Sequence, residues 1–272
     1  MPFVDLPHRG RDVRLEYEWV GREAETAPVV VFLHEGLGSV AMWRDWPARL
    51  CDLGGYRGLV YSRYGYGRST RRPHDERWSP RFMHDEAAQA LPRLLAAVGV
   101  DAKRRPPWLL GHSDGGSIAL MFAALHPHAV AGVIAVAPHI RVEDVTIASI
   151  ERAREAWRTT DLPQRLGRYH ADAESAFGGW NAAWLAPDFR AWSIEAMLPA
   201  VRCPLLAVQG RDDEYGTLAQ IEGIRARAPQ TELLVLEDCG HSPQRDQPDA
   251  LAHAVTGFIS RHQVAVHSGG MS

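Results

Sequence analysis

The chain has 272 residues, 46% of them hydrophobic, a formal charge of −3 and three cysteines. That length holds one large domain or two small ones with a sizeable core, and the near-balanced charge carries no signature of a nucleic-acid or anionic-membrane binder. Cys51, Cys203 and Cys239 lack CxxC spacing, which excludes a disulfide framework and a cysteine-based zinc or redox site and suits a reducing cytoplasm.

The opening stretch, "MPFVDLPHRGRDVRLEYEWVG", carries charges throughout and has no apolar h-region, so no secretory signal is expected. No run approaches the roughly 18 apolar residues of a spanning helix. Leu15, Tyr17 and Trp19 alternate with charged residues and read as a half-exposed strand. "PVVVFLHEG", from Pro28 to Gly36, is a β-branched apolar run ended by glycine, the pattern of a strand covered on both faces. Met42 to Leu53 reads as a helix, "GLVYS" as a short strand, "RYGYGRS" as a loop and Met83 to Val98 as a helix. "WLLGH" is a strand, Gly115 to His126 an apolar helix stopped by Pro127, and "VAGVIAVA" another strand. From His139 to Val201 no β-branched run occurs; helical patterns, prolines and Trp157, Trp180, Trp184 and Trp192 take over. Alternation then resumes with "PLLAVQG" (strand), Leu218 to Ala228 (helix), "ELLVLED" (strand) and Ala250 to His262 (helix); the tail "VAVHSGGMS" reads as disordered.

Alternating strands and helices predict an α/β fold with a mostly parallel, doubly wound sheet. Residues 1–138 and 202–272 would form the core, and 139–201 an inserted helical cap. Open parallel sheets carry their sites at the carboxyl ends of the strands, and three such ends hold reactive residues. "LLGHSDGGS" places Ser113 between Gly111 and Gly115 at a strand-to-helix junction, the G-x-S-x-G pattern. "LLAVQGRDDEYG" offers Asp212 and Asp213, and "LEDCGHSPQRDQP" offers His241. A serine hydroxyl needs a base to take its proton, and an imidazole base needs an acid to fix its tautomer. The chain order Ser, Asp, His supplies all three, with either aspartate as the acid. Developing negative charge needs donors: the backbone N–H of Asp114, after the nucleophile, and one from the loop His34–Ser39, where Gly36 is chosen.

With these motifs the chain resembles the α/β-hydrolase superfamily, in its branch of small capped serine hydrolases that includes carboxylesterases and carbon–carbon bond hydrolases. The resemblance rests on "LHEGLGSVAMW", "YGYGRS", "LLGHSDGGSIAL", "LLAVQGRDDEYG" and "CGHSPQRDQP", and spans Val29 to Ile259. It implies Asp213, the last aspartate of "GRDD", as the acid, with Asp212 the runner-up. Several positions depart from the family pattern. Where the first loop usually reads His-Gly, this chain has His34-Glu35-Gly36, and Glu35 either points to solvent, the preferred reading, or contacts a polar or cationic substrate group. Ser62 stands where an aspartate often opens the D-x-x-G-x-G-x-S loop. Serine at 113 speaks against haloalkane dehalogenase and epoxide hydrolase chemistry, and Ser242 stands where carbon–carbon hydrolases often have Trp.

The resemblance implies a cofactor-independent, metal-free hydrolase of a small carboxylic ester. A lactone, a thioester or a carbon–carbon bond is the alternative target, and a ligand receptor on the same scaffold a remote one. Trp43, Trp180 and Trp184 are candidate pocket walls for an apolar or aromatic group, and packing of the cap onto the core is the competing role. The expected partner is a small-molecule ester, with no nucleic acid and no membrane, for a cytoplasmic monomer or homodimer.

Overall fold

The computed structural model describes residues 2–8 and 10–268, with side chains through Gln263. Among them, eight strands form one sheet in the order β1-β2-β4-β3-β5-β6-β7-β8. The strands are β1 (Phe3–His8), β2 (Arg11–Gly21), β3 (Val29–Leu33), β4 (Arg57–Tyr61), β5 (Trp108–His112), β6 (Gly132–Val136), β7 (Leu205–Gly210) and β8 (Thr231–Leu236). From β4 to β8 every pairing is parallel, while β1 and β2 add an antiparallel edge. Every residue of β5, β6 and β7 is buried. This is why these strands read as unbroken apolar runs: a parallel strand between two helix layers has no wet face. β1 does not stand out in the sequence, because Asp5 and Pro7 interrupt its apolar pattern and only Leu6 and His8 turn inward. Proline is tolerated there because β1 is an edge strand.

One helix layer holds α1 (Trp46–Gly54) and α10 (Pro248–Ser268), around Phe32, Trp46, Leu50, Val255 and Phe258. The other holds α2 (Phe82–Asp85), α3 (Leu91–Ala97), α4 (Asp114–Leu125) and α8 (Ala219–Arg227). The stretch read as one helix from Met42 is two elements. A 3₁₀ turn, Val40–Trp43, stops at Arg44 (φ 54°), and α1 starts afresh at Trp46 with Pro47 in its first turn. The helix read over Met83–Val98 is present, but α2 and α3 are joined by a π-turn at Glu86–Ala90. Pro92 has no N–H to give Ala88 and crowds that carbonyl, which widens the turn before it. The C-terminal helix overruns its expected end at His262: no glycine or proline stops it before Gly269, and its backbone stays helical to Ser268. The tail read as disordered starts at Val264, past the last described side chain, and residues 269–272 lie outside the described residues.

Between β6 and β7 the sheet gives way to α5 (Asp144–Thr159), α6 (Leu162–Leu166), α7 (Ala173–Trp184) and a short helical turn at Pro187–Ala191. α9 (Pro243–Asp246) follows β8. The two ends of the insertion are clamped together: Arg141 bridges Ser193, and the Ile194 N–H donates to the Ile140 carbonyl at 2.8 Å. α7 is buried over most of its surface and places Trp180 and Trp184 in the same core cluster as α4. No helix among the described residues is long and apolar enough to cross a membrane.

Candidate active site

The site begins at the turn from β5 into α4. Ser113 sits there with φ 54° and ψ −118°, backbone that costs a non-glycine residue on the order of 1–3 kcal/mol. Its own N–H is anchored to the Val136 carbonyl at 2.9 Å. The flanking glycines serve close approach. A Cβ on Gly111 would run into the Gly115 carbonyl, and one on Gly115 into the Leu33 carbonyl of β3. Their absence of side chains lets the start of α4 lie directly on the end of β3.

Two later strand ends converge on Ser113. His241, in the loop after β8, places Nε2 3.0 Å from Ser113 Oγ. Its Nδ1 lies 2.8 and 2.9 Å from the two carboxylate oxygens of Asp213, in the loop after β7. Nδ1–H therefore donates to Asp213, which leaves Nε2 free to accept the serine proton. Asp213 is held in turn by N–H donors from Tyr215 at 2.8 Å and Gly216 at 3.2 Å, and by Gln209 Nε2 at 2.5 Å. The neighbouring Asp212 is exposed and makes a backbone bond from its N–H to the Cys239 carbonyl. Geometry thus separates two aspartates that the sequence leaves side by side.

Electrostatics follow from this packing. Burial pushes the Asp213 carboxyl up, but the His241 hydrogen bond and charge and the Tyr215 N–H outweigh it, and the pKa is lowered. Burial pushes His241 down, yet the Asp213 hydrogen bond and charge, with the charges of Glu35 and Glu214, leave its pKa raised. His139, after β6, has its ring 5.8 Å from that of His241. Burial and the His241 charge press its pKa down to about 3, so it stays neutral beside His241.

The loop after β3 lies against this group, and a buried arginine sets its backbone. Arg63 Nη2 donates to the Glu35 carbonyl at 2.7 Å, while the Arg63 N–H donates to His34 Nε2 at 3.0 Å. His34 Nδ1–H also points at the Glu35 carbonyl, at 2.7 Å. This tautomer requires a neutral ring, and burial with the Arg63 charge holds its pKa well below the ordinary value. In a trans peptide the C=O and the following N–H point to opposite sides. Because Arg63 and His34 hold the Glu35 carbonyl, the Gly36 N–H faces away from them. Neither that N–H nor the Asp114 N–H donates to a protein acceptor among the described residues. Arg63 also faces Asp114 at 3.7 Å, both fully buried. Burial raises the Asp114 pKa, against Arg63 and the Trp184 indole, which both lower it. Trp184 Nε1–H donates to Asp114 Oδ1 at 3.2 Å.

Ser62, where the family often has aspartate, leaves a carboxylate to come from elsewhere. Glu16 of β2 supplies it: Ser62 Oγ and the Arg68 N–H both donate to Glu16 Oε2 at 2.9 Å.

Of the three tryptophans, Trp180 packs its indole nitrogen against Gly36 and Trp184 reaches Asp114 and the His139 ring. Trp43 lies in the α1 layer, stacked on Trp46 and edge-on to Phe32. Glu35 corrects an expectation. Its carboxylate does not simply face solvent; it pairs with His112 Nδ1 at 2.7 Å. Arg63, His112, His139, Glu214 and Tyr215 are the site residues that sequence reasoning missed. Only adjacency to a motif marks them: His112 precedes Ser113, and Arg63 lies at the start of the loop after β4.

A family model described as the alpha/beta hydrolase family matches residues 30–254. The chain is similar to the 2-hydroxy-6-oxo-6-phenylhexa-2,4-dienoate hydrolase of Burkholderia cepacia, 24% identical over 267 residues, covering 88% of this chain and 90% of that protein. It is 25% identical over 279 residues to the sn-1-specific diacylglycerol lipase ABHD11 of Mus musculus, covering 92% and 86%. Among solved structures, one from a study of the carboxylesterases of Nitrososphaera gargenis superposes with a TM-score of 0.76 at 23% identity, covering 97% of this chain and 100% of that one. With the family model spanning most of its length, this chain belongs to the alpha/beta hydrolase family.

Proposed function

We propose that this protein is a serine hydrolase that cleaves a small carboxylic ester through an acyl-enzyme. The observation that carries the reading is the unbroken relay Ser113 Oγ, His241 Nε2, His241 Nδ1, Asp213, with contacts of 3.0 and 2.8 Å. Ser113 Oγ attacks the ester carbonyl while His241 Nε2 takes its proton. Asp213 holds the imidazole in that tautomer and stabilises the imidazolium as it forms. The Gly36 and Asp114 N–H groups, one fixed by Arg63 and the other at the start of α4, donate to the oxyanion. His241 then protonates the leaving alcohol, and water attacks the acyl-enzyme with His241 again the base. Residues 139–201 act as a cap, with Trp180 and Trp184 as an apolar roof suited to an aromatic or bulky aliphatic group. A lipase and carboxylesterases stand among the similar proteins, and a dienoate hydrolase beside them keeps a carbon–carbon bond as the second reading.

Turnover of p-nitrophenyl esters, a lactone, a thioester and a vinylogous diketone, compared at equal concentration, tests the bond type. Ester kcat/KM well above the others supports the proposal, and diketone cleavage above ester cleavage overturns it.

Two outcomes follow for the site. The base works neutral, and its pKa is raised, so the acidic limb of kcat/KM against pH is expected to bend above the ordinary histidine value of about 6.5. Activity falls as pH drops through that bend; a limb centred below it contradicts the assignment of His241. Gly36→Ala would drive a methyl into the Trp180 indole and displace the loop. Misplacement by about 1 Å costs about 10² in rate, so kcat/KM is expected to fall by that order, measurable by steady-state kinetics on the best ester.

A further inference from the structure

Glu35 is the residue by which this chain departs from the family's first loop, and its partner lies on β5. Glu35 Oε2 sits 2.7 Å from His112 Nδ1. His112 is buried, and its other nitrogen, Nε2, lies 2.6 Å from the main-chain carbonyl oxygen of His241. A carbonyl only accepts, so Nε2 carries a proton. Nδ1 faces the carboxylate and, at 3.0 Å, the side-chain amide of Gln244, whose oxygen is buried without a protein partner among the described residues. The two ends of an amide have the same shape, and assignment follows the network. Turned over, the Gln244 oxygen also faces Nδ1. Both ring nitrogens then meet acceptor oxygens, the arrangement of a doubly protonated ring. The Glu35 carboxyl fits that picture. Burial pushes its pKa up, but His112, His241 and Arg245 outweigh burial and lower it.

Each member of this chain adjoins one working part of the site. Glu35 precedes Gly36, His112 precedes Ser113, and His112 grips the backbone of His241 itself. We propose that Glu35 and His112 are positioning residues: a carboxylate–imidazolium pair that ties the oxyanion loop, the nucleophile and the base into one unit by holding the His241 carbonyl. Neither touches the reacting atoms. The inference rests on the serine-hydrolase reading above.

The test uses the full chain and two probes, a fluorophosphonate that labels the nucleophile and p-nitrophenyl butyrate. Glu35→Gln keeps the shape and one hydrogen bond but removes the charge, while Glu35→Asp keeps the charge. In Glu35→Gln, the rate of Ser113 phosphonylation and kcat are expected to fall at least about tenfold with KM within about twofold. Glu35→Asp should recover a large part of the loss. Nitrogen-correlated NMR of the histidine rings should show both His112 nitrogens protonated in the native protein and only Nε2 in Glu35→Gln. Equal labelling rates in Glu35→Gln and the native protein, or a singly protonated native His112, overturn this inference alone. Failure of the native protein to label at Ser113 overturns the serine-hydrolase reading, and this inference with it.

Discussion

Ser113→Ala is expected to lower kcat on a p-nitrophenyl ester by on the order of 10⁶, down to the residual catalysis that binding and oxyanion donors give without a nucleophile. The size follows from the geometry. His241 Nε2 has Ser113 Oγ within 3.0 Å, so removing the hydroxyl leaves the base with no proton to take. The fold should survive, because alanine meets the same φ of 54° that serine does and loses only a hydroxyl. A steady-state assay beside a thermal melt separates the two effects. A loss smaller than about tenfold with an unchanged melt would remove Ser113 from the chemistry.

Asp213→Asn is the second large effect, expected near 10⁴ in kcat. The Asp213 carboxylate accepts from His241 Nδ1–H on both oxygens and also from two backbone N–H groups and Gln209. Asparagine must turn its NH₂ toward one of these donors. Facing His241, it pushes the ring into the tautomer with Nε2–H, which cannot accept the serine proton. The lost negative charge also lowers the His241 pKa, so whatever activity remains should have its acidic limb at lower pH. Asp212→Asn is the control: exposed, with its backbone N–H on the Cys239 carbonyl and no side-chain hydrogen bond among the described residues, it should leave kcat within about twofold. Equal losses in the two variants would contradict the assignment.

The parts of this fold that the sequence shows clearly are those whose burial is uniform. β5, β6 and β7 are buried along their whole length and mostly apolar because both faces are covered; Ser113 and Asp213 follow two of these runs, and His241 follows β8, which is only partly buried. The glycines of the turn around Ser113 are legible for a related reason: the carbonyls of Gly115 and Leu33 occupy the space a side chain would need. What the sequence hides depends on distant pairing. β1 shows no clean alternation, since edge position excuses Pro7. Glu16 replaces the missing loop carboxylate from a strand 46 residues away, and Glu35 finds His112 only once β3 and β5 are side by side. Arg63 is the plainest case. An arginine in a glycine-rich loop reads as exposed, yet here its guanidinium lies inside the protein, where Nη2 donates to two carbonyls and faces Asp114 at 3.7 Å while Nε has no hydrogen-bond partner among the described residues. Such a charge stays buried only because its partners are already in place.

A covalent acyl group on Ser113 is tested most directly by rapid acid quench of the protein with p-nitrophenyl acetate, followed by intact mass and peptide mapping. The expected result is one acetyl group per chain, carried on the peptide that contains Ser113, formed at least as fast as turnover and absent in Ser113→Ala. Turnover with no acetyl group on Ser113, or an acetyl group on another residue at the turnover rate, would contradict it.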